Sequence, residues 1–184
     1  KKILLIEDFI IYQLTGRYVS DCSMLCSTLY WDITTKKYWQ PMLDELGMTE
    51  DNFPEILEPG EVAGTILPEM AEKLGLSKDV QVCTGAMDNA IGAVGVGAVR
   101  SGMFSESIGS TLAVCVPTDK IVYDPNQQMP VHYYPIKDTY MMHTFTSGGI
   151  CLRWYRDNFC QMEMTCAEMT GDDSYDLMTK QALQ

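Results

Sequence analysis

Residues 80–97, VQVCTGAMDNAIGAVGVG, constrain the fold of this chain more than any other stretch. The stretch begins with β-branched residues that predict a buried strand at residues 80–83, then makes a tight turn and opens a helix at Asp88. A strand that passes through a turn into a helix is a basic unit of α/β folds, so the stretch predicts α/β architecture. Small side chains let such a helix lie close to a neighbouring backbone, and here they belong to Gly92, Ala93, Gly95 and Gly97.

The rest of the chain predicts helices and strands in alternation. Two prolines and two glycines predict a surface connection at residues 54–64. The glycine-rich helix ends near residues 98–102, which predicts a boundary there. The predicted helices are residues 2–16, 38–46, 67–74 and 150–159 and one from Ser174, with caps at Gly16, Gly47 and Gly75, and the predicted strands are residues 103–108, 112–116 and 140–144.

The charge of the chain excludes two classes of partner. Among its 184 residues, 13 Lys and Arg stand against 25 Asp and Glu, a formal net charge of -12. Such a surface repels polyphosphate backbones and anionic lipid headgroups, so we expect neither nucleic acid nor a membrane surface as a partner. No apolar run reaches the roughly 18 residues of a membrane helix. The acidic pair Glu7-Asp8 follows the apolar start too soon for a signal peptide, so we expect a cytoplasmic protein.

The residues that most often bind metals give no metal-site pattern. Seven cysteines are scattered without a CxxC pair or nearby histidines, which predicts reduced thiols. Cys22 and Cys26 would share one face of a helix, so a soft metal ion is one alternative, but buried free thiols are favoured. His132 and His143 lie too far apart in sequence to suggest a metal pair, and we expect neither to be catalytic. We therefore predict no metal ligands.

Asp88 is the first candidate for chemistry. A carboxylate that follows a strand and a glycine turn lies at the sheet edge where open α/β folds bind ligands. On local chemistry alone an N-cap is the favoured alternative, because Asp is common at that position. The adjacent Asn89 supports a binding role, since an amide beside a carboxylate can hold the hydroxyls of a polyol. The glycines that follow are no dinucleotide motif, because their order reverses GxGxxG and they lie inside the helix.

The second candidate is the predicted hairpin turn at residues 107–111, SIGST. Its hydroxyls flank Gly109, and exposed backbone N–H groups in such a turn can bind an anion. Hairpins also use Gly and Ser without any ligand, so the turn alone is a weak indication. Together with Asp88 it indicates phosphoryl transfer: Asp88 would activate a hydroxyl while Gly109 and Ser110 hold a phosphate.

Motifs spread along the chain carry a resemblance to a known family. They are DFIIYQLTG at residues 8–16, SDCS at 20–23, WD at 31–32, GEVAG at 60–64, GAMDNAIGAVG at 85–95, SIGST at 107–111, SGG at 147–149 and LRWYR at 152–156. In order and spacing they resemble the FGGY carbohydrate kinases, and most of all their xylulose kinase branch. The resemblance covers nearly the whole chain.

The resemblance implies an actin-like, ribonuclease H-like α/β fold of two domains with the active site between them. It implies that residues 1–98 are the C-terminal part of the sugar-binding domain and that residues 99–184 begin the nucleotide-binding domain. The family's N-terminal phosphate loop, which also serves the magnesium, and its C-terminal adenine site have no counterpart here. The resemblance therefore implies an internal fragment that is inactive alone.

The resemblance also implies roles for individual residues. Asp88 falls on the family's catalytic base, and Asn89 falls on its neighbouring sugar-binding residue. Gly109 and Ser110 fall on the Gly-Thr turn that contacts phosphate, with Ser110 keeping the threonine hydroxyl. ATP and Mg²⁺ are the implied cofactors.

The implied reaction is transfer of the γ-phosphate of ATP to a hydroxyl of a ketose such as xylulose. The first alternative is a non-catalytic sugar-binding or regulatory member of the same superfamily. A free-standing acidic scaffold is the second, and it would bind a partner but no sugar or nucleotide. A homodimer is compatible with each of these.

Overall fold

The computed structural model describes residues 1–183, which form eight helices, ten strands and one 3₁₀ turn at Glu50–Asn52. No helix within these residues has the length and apolarity that spanning a membrane requires. The helices are α1 (Ile6–Thr15), α2 (Cys22–Leu25), α3 (Gln40–Glu45), α4 (Pro68–Leu74), α5 (Asp88–Gly95), α6 (Gly149–Phe159), α7 (Gln161–Thr170) and α8 (Ser174–Ala182).

The strands form four small sheets. Strands β1 and β4 pair in parallel, whereas β2 with β3 and β5 with β6 pair antiparallel. The largest sheet has four strands in the order β7, β8, β10, β9. The strands are β1 (Val19–Asp21), β2 (Trp31–Asp32), β3 (Lys37–Tyr38), β4 (Glu55–Leu57), β5 (Val62–Thr65), β6 (Gln81–Cys83), β7 (Ser105–Ile108), β8 (Thr111–Thr118), β9 (Val131–Tyr133) and β10 (Tyr140–Ser147).

The chain divides into two compact units. The first contains Lys1–Ser105 and Cys115–Thr144, and the second contains Glu106–Val114 and the residues from Phe145 onward. The predicted division at residues 98 and 99 concerns the larger two-domain fold and stays a prediction.

An aromatic cluster forms one core of the first unit. The ring of Phe53 lies 4.8 Å from that of Tyr30 and 5.0 Å from that of Tyr38, measured between centroids. Tyr133 of β9 is fully buried, and its hydroxyl donates to Glu58 Oε2 at 2.8 Å. These rings pack strand β9 against the β2–β3 hairpin, because Trp31 and Tyr38 of the hairpin belong to the same cluster.

Helix α5 packs through alanines. Ala90 and Ala93 are buried in a cluster with Tyr134 and Met141. By contrast, a Cβ placed on Gly92 or on the other helical glycine would meet no atom within 4 Å. The prediction that small residues pack this helix closely is therefore confirmed for Ala93 and wrong for Gly92, Gly95 and Gly97, since the alanines lie on its buried face.

Several predicted elements are confirmed, and most of them are set by local sequence. Gly16 and Gly75 end α1 and α4 in the left-handed conformation, with φ of 74° and 68°. Helices α6 and α8, strand β10 and the β7–β8 pair also lie where the pattern predicts them.

Other predictions are wrong because partners distant in sequence decide the structure. Residues 54–64 contain β4 and the start of β5, since Glu55–Leu57 pairs in parallel with Val19–Asp21. Helix α3 starts at Gln40 because Tyr38 pairs with Trp31 in a hairpin. Strand β6 is present but not buried, and helix α7 has no counterpart among the predicted elements.

The seven cysteines are all free. Cys22 is buried and Cys26 is half-buried, and the Cys26 thiol contacts the carbonyl of Cys22 at 3.3 Å. Burial raises the pKa of both thiols to about 12. Both are therefore protonated near neutral pH, which fits the favoured interpretation of structural thiols and not that of metal ligands.

Candidate active site

Asp88 and Asn89 open helix α5 in the first unit. Met87 is the N-cap residue and Asp88 is the first residue of the helix, so the local prediction of Asp88 as the N-cap is wrong. The side chain of Asp88 is exposed, and its Oδ1 accepts the N–H of Asn89 at 2.7 Å. Asp88 is thus an accessible carboxylate at the positive end of a helix dipole.

Buried hydrogen bonds hold the residue that precedes Asp88. The N–H of Met87 donates to Ser23 Oγ at 2.9 Å, and Ser23 Oγ donates in turn to Asp21 Oδ1. Asp21 also accepts the N–H groups of Ser23 and Met24, at 2.8 and 3.2 Å, which makes it the N-cap of α2. Asp21, Ser23 and Met87 are all buried. The start of α5 is therefore fixed to the start of α2 by groups that water does not reach.

A cavity of about 390 Å³ lies beside Asp88. Four of its lining residues are acidic, namely Glu7, Asp8, Asp21 and Asp88, and none is basic. Burial raises the pKa of the Asp8 and Asp21 carboxyls, although hydrogen bonds from backbone N–H groups oppose that rise. The lining of the cavity is therefore acidic, with no basic residue to balance it.

Two buried histidines lie close to this site. His132 of β9 and His143 of β10 have ring centroids 5.4 Å apart and nearly perpendicular planes. Burial lowers the pKa of His132 to about 4, and the neighbouring His143 adds to the effect. Burial also lowers the pKa of His143, whereas the charge of Asp88 raises it. The sequence did not predict this pair, because the two histidines are far apart along the chain. Only the pairing of the antiparallel strands β9 and β10 brings their rings together.

Gly109 and Ser110 form a turn of the second unit that packs against a second glycine turn. The N–H of Gly149 donates to the Gly109 carbonyl at 2.8 Å, and the N–H groups of Gly148 and Ile150 donate to the Ser110 carbonyl at 3.1 and 3.2 Å. A Cβ on Gly148 would lie 2.7 Å from the backbone of Thr111. Only glycine lets the two backbones approach this closely.

A pocket of about 270 Å³ adjoins this turn. Its lining includes Gly109, Ser110, Gly149, Arg153 and Tyr175. Helix α6 begins at Gly149, so its N-terminal residue also lines the pocket. The first N–H groups of α6 already donate to the turn, so the guanidinium of Arg153 is the group of this pocket that would attract an anion such as phosphate.

Sequence reasoning missed three residues of these two sites. Ser23 follows Asp21 by two residues, a spacing typical of a side chain that accepts a backbone N–H, but its bond to Met87 spans 64 residues. Glu7 precedes the buried Asp8 on α1 and carries no signal of its own. Arg153 lies four residues after Gly149, which places both on one face of α6.

The described residues do not by themselves fit a bound Mg²⁺ ion. In residues 1–183, no three or more His, Cys, Asp or Glu side chains are grouped as metal ligands. The four acidic residues that line the 390 Å³ cavity do not form such a group.

Comparison with known proteins identifies relatives of the chain. Residues 1–95 match the N-terminal domain of the FGGY family of carbohydrate kinases. The chain is 29% identical to the gluconokinase of Bacillus subtilis strain 168, over 98% of this chain and 35% of that protein. It is also 29% identical to the autoinducer-2 kinase of Escherichia coli K12, over 98% of this chain and 34% of that protein. The chain thus spans about a third of these relatives.

A solved structure confirms the predicted fold. The ligand-bound xylulose kinase of Lactobacillus acidophilus superposes with a TM-score of 0.80 at 28% identity. The match covers 91% of this chain and 35% of that one. The chain therefore has part of the actin-like α/β fold that the resemblance implied.

The packing of the two glycine turns predicts the effect of Gly148→Ala. The added methyl would overlap the Thr111 backbone, so we expect it to destabilise the paired turns by about 1–3 kcal/mol. Hydrogen exchange of the Gly149 and Ile150 amides measures this loss and should become faster. The matched control is Gly92→Ala on α5, where no atom lies within 4 Å. Unchanged exchange in Gly148→Ala would contradict the close approach.

The burial of His132 predicts a pH dependence of stability. An unfolded histidine gains its proton near pH 6.5, whereas the buried one does so near pH 4. The unfolded state therefore binds more protons between these values, and this contribution to stability is lost as the pH falls. Between pH 6.5 and 4 this effect lowers the free energy of unfolding by about 3 kcal/mol, and His132→Phe should abolish that decrease.

The readout for His132 is urea denaturation of both proteins at several pH values. The pKa values of Asp8 and Asp21 are raised above 3.8 by burial, so both give the opposite slope above that pH, but their contributions cancel in the difference between the two proteins. A difference that does not change with pH would show that His132 is accessible to protons in the folded state.

Proposed function

The chain belongs to the FGGY family of carbohydrate kinases, and on that premise we propose that it is part of an enzyme that transfers the γ-phosphate of ATP to a hydroxyl of a sugar. The observation that carries the proposal is the position of Asp88. Its carboxylate is accessible, lies on the wall of a cavity, and follows a residue that buried hydrogen bonds hold in place. A protein that only binds sugar has no need of a base at this position.

Asp88 is the proposed catalytic base. The sugar hydroxyl oxygen forms a bond to the γ-phosphorus while the bond from that phosphorus to the bridging oxygen of ADP breaks. The hydroxyl proton passes to a carboxylate oxygen of Asp88. In a loose transition state the hydroxyl becomes acidic only once its oxygen is bonding to phosphorus, so late proton acceptance by a carboxylate suffices.

The neighbours of Asp88 would orient the sugar. Asn89 is half-buried and follows Asp88 directly, so its amide can donate to one sugar oxygen while Asp88 accepts from another. Orientation of the reacting hydroxyl supplies a large part of the rate, because a misplaced nucleophile does not reach phosphorus. We assign residues 1–98 to the sugar-binding domain on this basis.

The turn at Gly109 and Ser110 would hold the γ-phosphate. The Ser110 hydroxyl is exposed, and Arg153 lines the same pocket at the start of helix α6. A guanidinium matches phosphate oxygens with two parallel hydrogen bonds. We assign residues 99–184 to the nucleotide-binding domain. ATP would bring Mg²⁺, which supplies charge neutralisation when bound, and no step above depends on a metal ligand from this chain.

The proposed acceptor is xylulose or a related ketose. The similar structure from Lactobacillus acidophilus is a xylulose kinase, and the curated relatives are named for gluconate and autoinducer-2. We place the reaction in the cytoplasm, which agrees with seven free cysteines.

Asp88→Asn in the intact protein tests the proposed base. We expect loss of ADP release, because the amide cannot accept the hydroxyl proton. Sugar affinity should stay within about tenfold, or 1.4 kcal/mol, since the shape of the site is kept. The measurement is ADP release with Mg-ATP over a panel of ketoses, polyols and aldonates, beside sugar binding by calorimetry.

The control for Asp88 is Asp79→Asn, which removes an exposed carboxylate from a loop. It should leave ADP release unchanged. Full turnover in Asp88→Asn would remove Asp88 from the mechanism. Saturable sugar binding without ADP release in the unaltered protein would favour the non-catalytic member of the superfamily.

A further inference from the structure

Side-chain hydroxyls hold both ends of the loop that precedes Asp88. The loop is residues 84–87, which join strand β6 to helix α5, and Asp88 follows it directly. At the end of the loop, Ser23 Oγ accepts the N–H of Met87 at 2.9 Å. At its start lies Thr84, which is buried with only 4% of its surface exposed. The reaction proposed above gives Thr84 no role, although its side chain is polar.

Thr84 fastens the loop to the turn at residues 58–61, which joins β4 to β5. The hydroxyl of Thr84 donates to the Glu58 carbonyl at 2.7 Å and accepts the N–H of Glu61 at 3.1 Å. The N–H of Thr84 donates to the Glu61 carbonyl at 2.8 Å. Because a hydroxyl both donates and accepts, this one side chain serves a carbonyl and an amide of the turn at once.

The turn at residues 58–61 is itself tied to the aromatic core. Glu58 Oε2 accepts the hydroxyl of the fully buried Tyr133 at 2.8 Å. The middle of the loop is more open, since Gly85 is exposed and a Cβ placed on it would meet no described atom within 4 Å. Few neighbours therefore constrain the middle of the loop, and the bonds at its two ends decide where it places Asp88.

We propose that Thr84 is a positioning residue for the phosphoryl transfer, because its hydroxyl and that of Ser23 together set the place of the Asp88 carboxylate relative to the acceptor hydroxyl. The inference rests on the proposed function, in which Asp88 is the base. Thr84 acts only through the loop and touches no reacting atom. A displacement of about 1 Å can cost about a hundredfold in rate, so an anchor four positions before the base can control turnover.

Thr84→Val in the intact protein tests the positioning role. Valine keeps the branched shape of threonine but can neither donate to Glu58 nor accept from Glu61. We expect the kcat of ADP release with Mg-ATP and a sugar to fall at least about tenfold, since the base is displaced. The KM for ATP should stay within about twofold, because the loop is not part of the turn proposed to hold phosphate. Rates are expressed per folded protein, with the folded fraction measured by circular dichroism.

Matched variants separate the role of the hydroxyl from that of the fold. Thr84→Ser keeps the hydroxyl, so its kcat should stay within about threefold of the unaltered protein despite the loss of a buried methyl. Thr65→Val removes an exposed hydroxyl from the neighbouring strand β5 and should leave kcat unchanged. Thr84→Ala also removes the hydroxyl and takes the place of Thr84→Val if valine prevents folding.

Hydrogen exchange at the Met87 amide is a second readout, and it does not depend on turnover. Loss of the anchor at Thr84 should make this exchange at least about threefold faster in Thr84→Val, whereas Thr84→Ser should keep the original rate.

Each outcome decides the inference. Equal losses of kcat in Thr84→Val and Thr84→Ser would overturn it, because the methyl and not the hydroxyl would then matter. Unchanged exchange at Met87 in Thr84→Val would overturn it as well. No ADP release from the unaltered protein with any sugar would overturn the proposed kinase itself. ADP release that Thr84→Val leaves intact would keep the kinase and overturn only the role of Thr84.

Discussion

The candidate site at Asp88 depends on the hydrogen bonds among Asp21, Ser23 and Met87. Burying a carboxylate is costly unless it is hydrogen-bonded, and Asp21 accepts two backbone N–H groups and one hydroxyl. That hydroxyl can then accept the N–H of Met87, an orphan donor at the start of a helix. The same contacts therefore cap helix α2, satisfy the start of α5 and fix the position of Asp88.

A close contact between two stretches of backbone is a second constraint, and it shapes the turn at Gly109 and Ser110. The carbonyls of Gly109 and Ser110 accept N–H groups from residues 148–150, and glycine at position 148 leaves the room that these bonds need. The turn is fixed by main-chain groups, so its exposed hydroxyl and the guanidinium of Arg153 are free to meet a ligand.

The sequence predicts the parts of this fold that local chemistry decides. Gly16 and Gly75 end helices because each adopts a positive φ, and this holds whatever surrounds them. Strand β4 escaped prediction because its pairing with β1 depends on residues 36 positions earlier, and prolines beside it resemble a loop. The prediction of close packing at Gly92 is wrong for a related reason. A glycine can allow close packing, but only the tertiary structure decides which face of the helix is buried.

The candidate site likewise contains residues that the sequence predicts and residues that it does not. Asp88 could be found because a strand, a turn and a helix start lie next to each other in the sequence. Ser23, Glu7 and the pairing of His132 with His143 could not, because each acts on residues brought near by folding. Local patterns thus locate Asp88, whereas the groups that hold the residue before it are recognised only in the folded structure.

The most direct test of this account is hydrogen exchange at the amide of Met87 in the unaltered protein and in Ser23→Ala. If the buried hydrogen bonds fix the start of α5, this amide is protected in the unaltered protein. Its exchange should speed up at least about tenfold when the hydroxyl is removed, while amides of the distant helix α4 keep their rates. Equal protection of Met87 in both proteins would contradict the account, because something other than Ser23 would then hold the residue before Asp88.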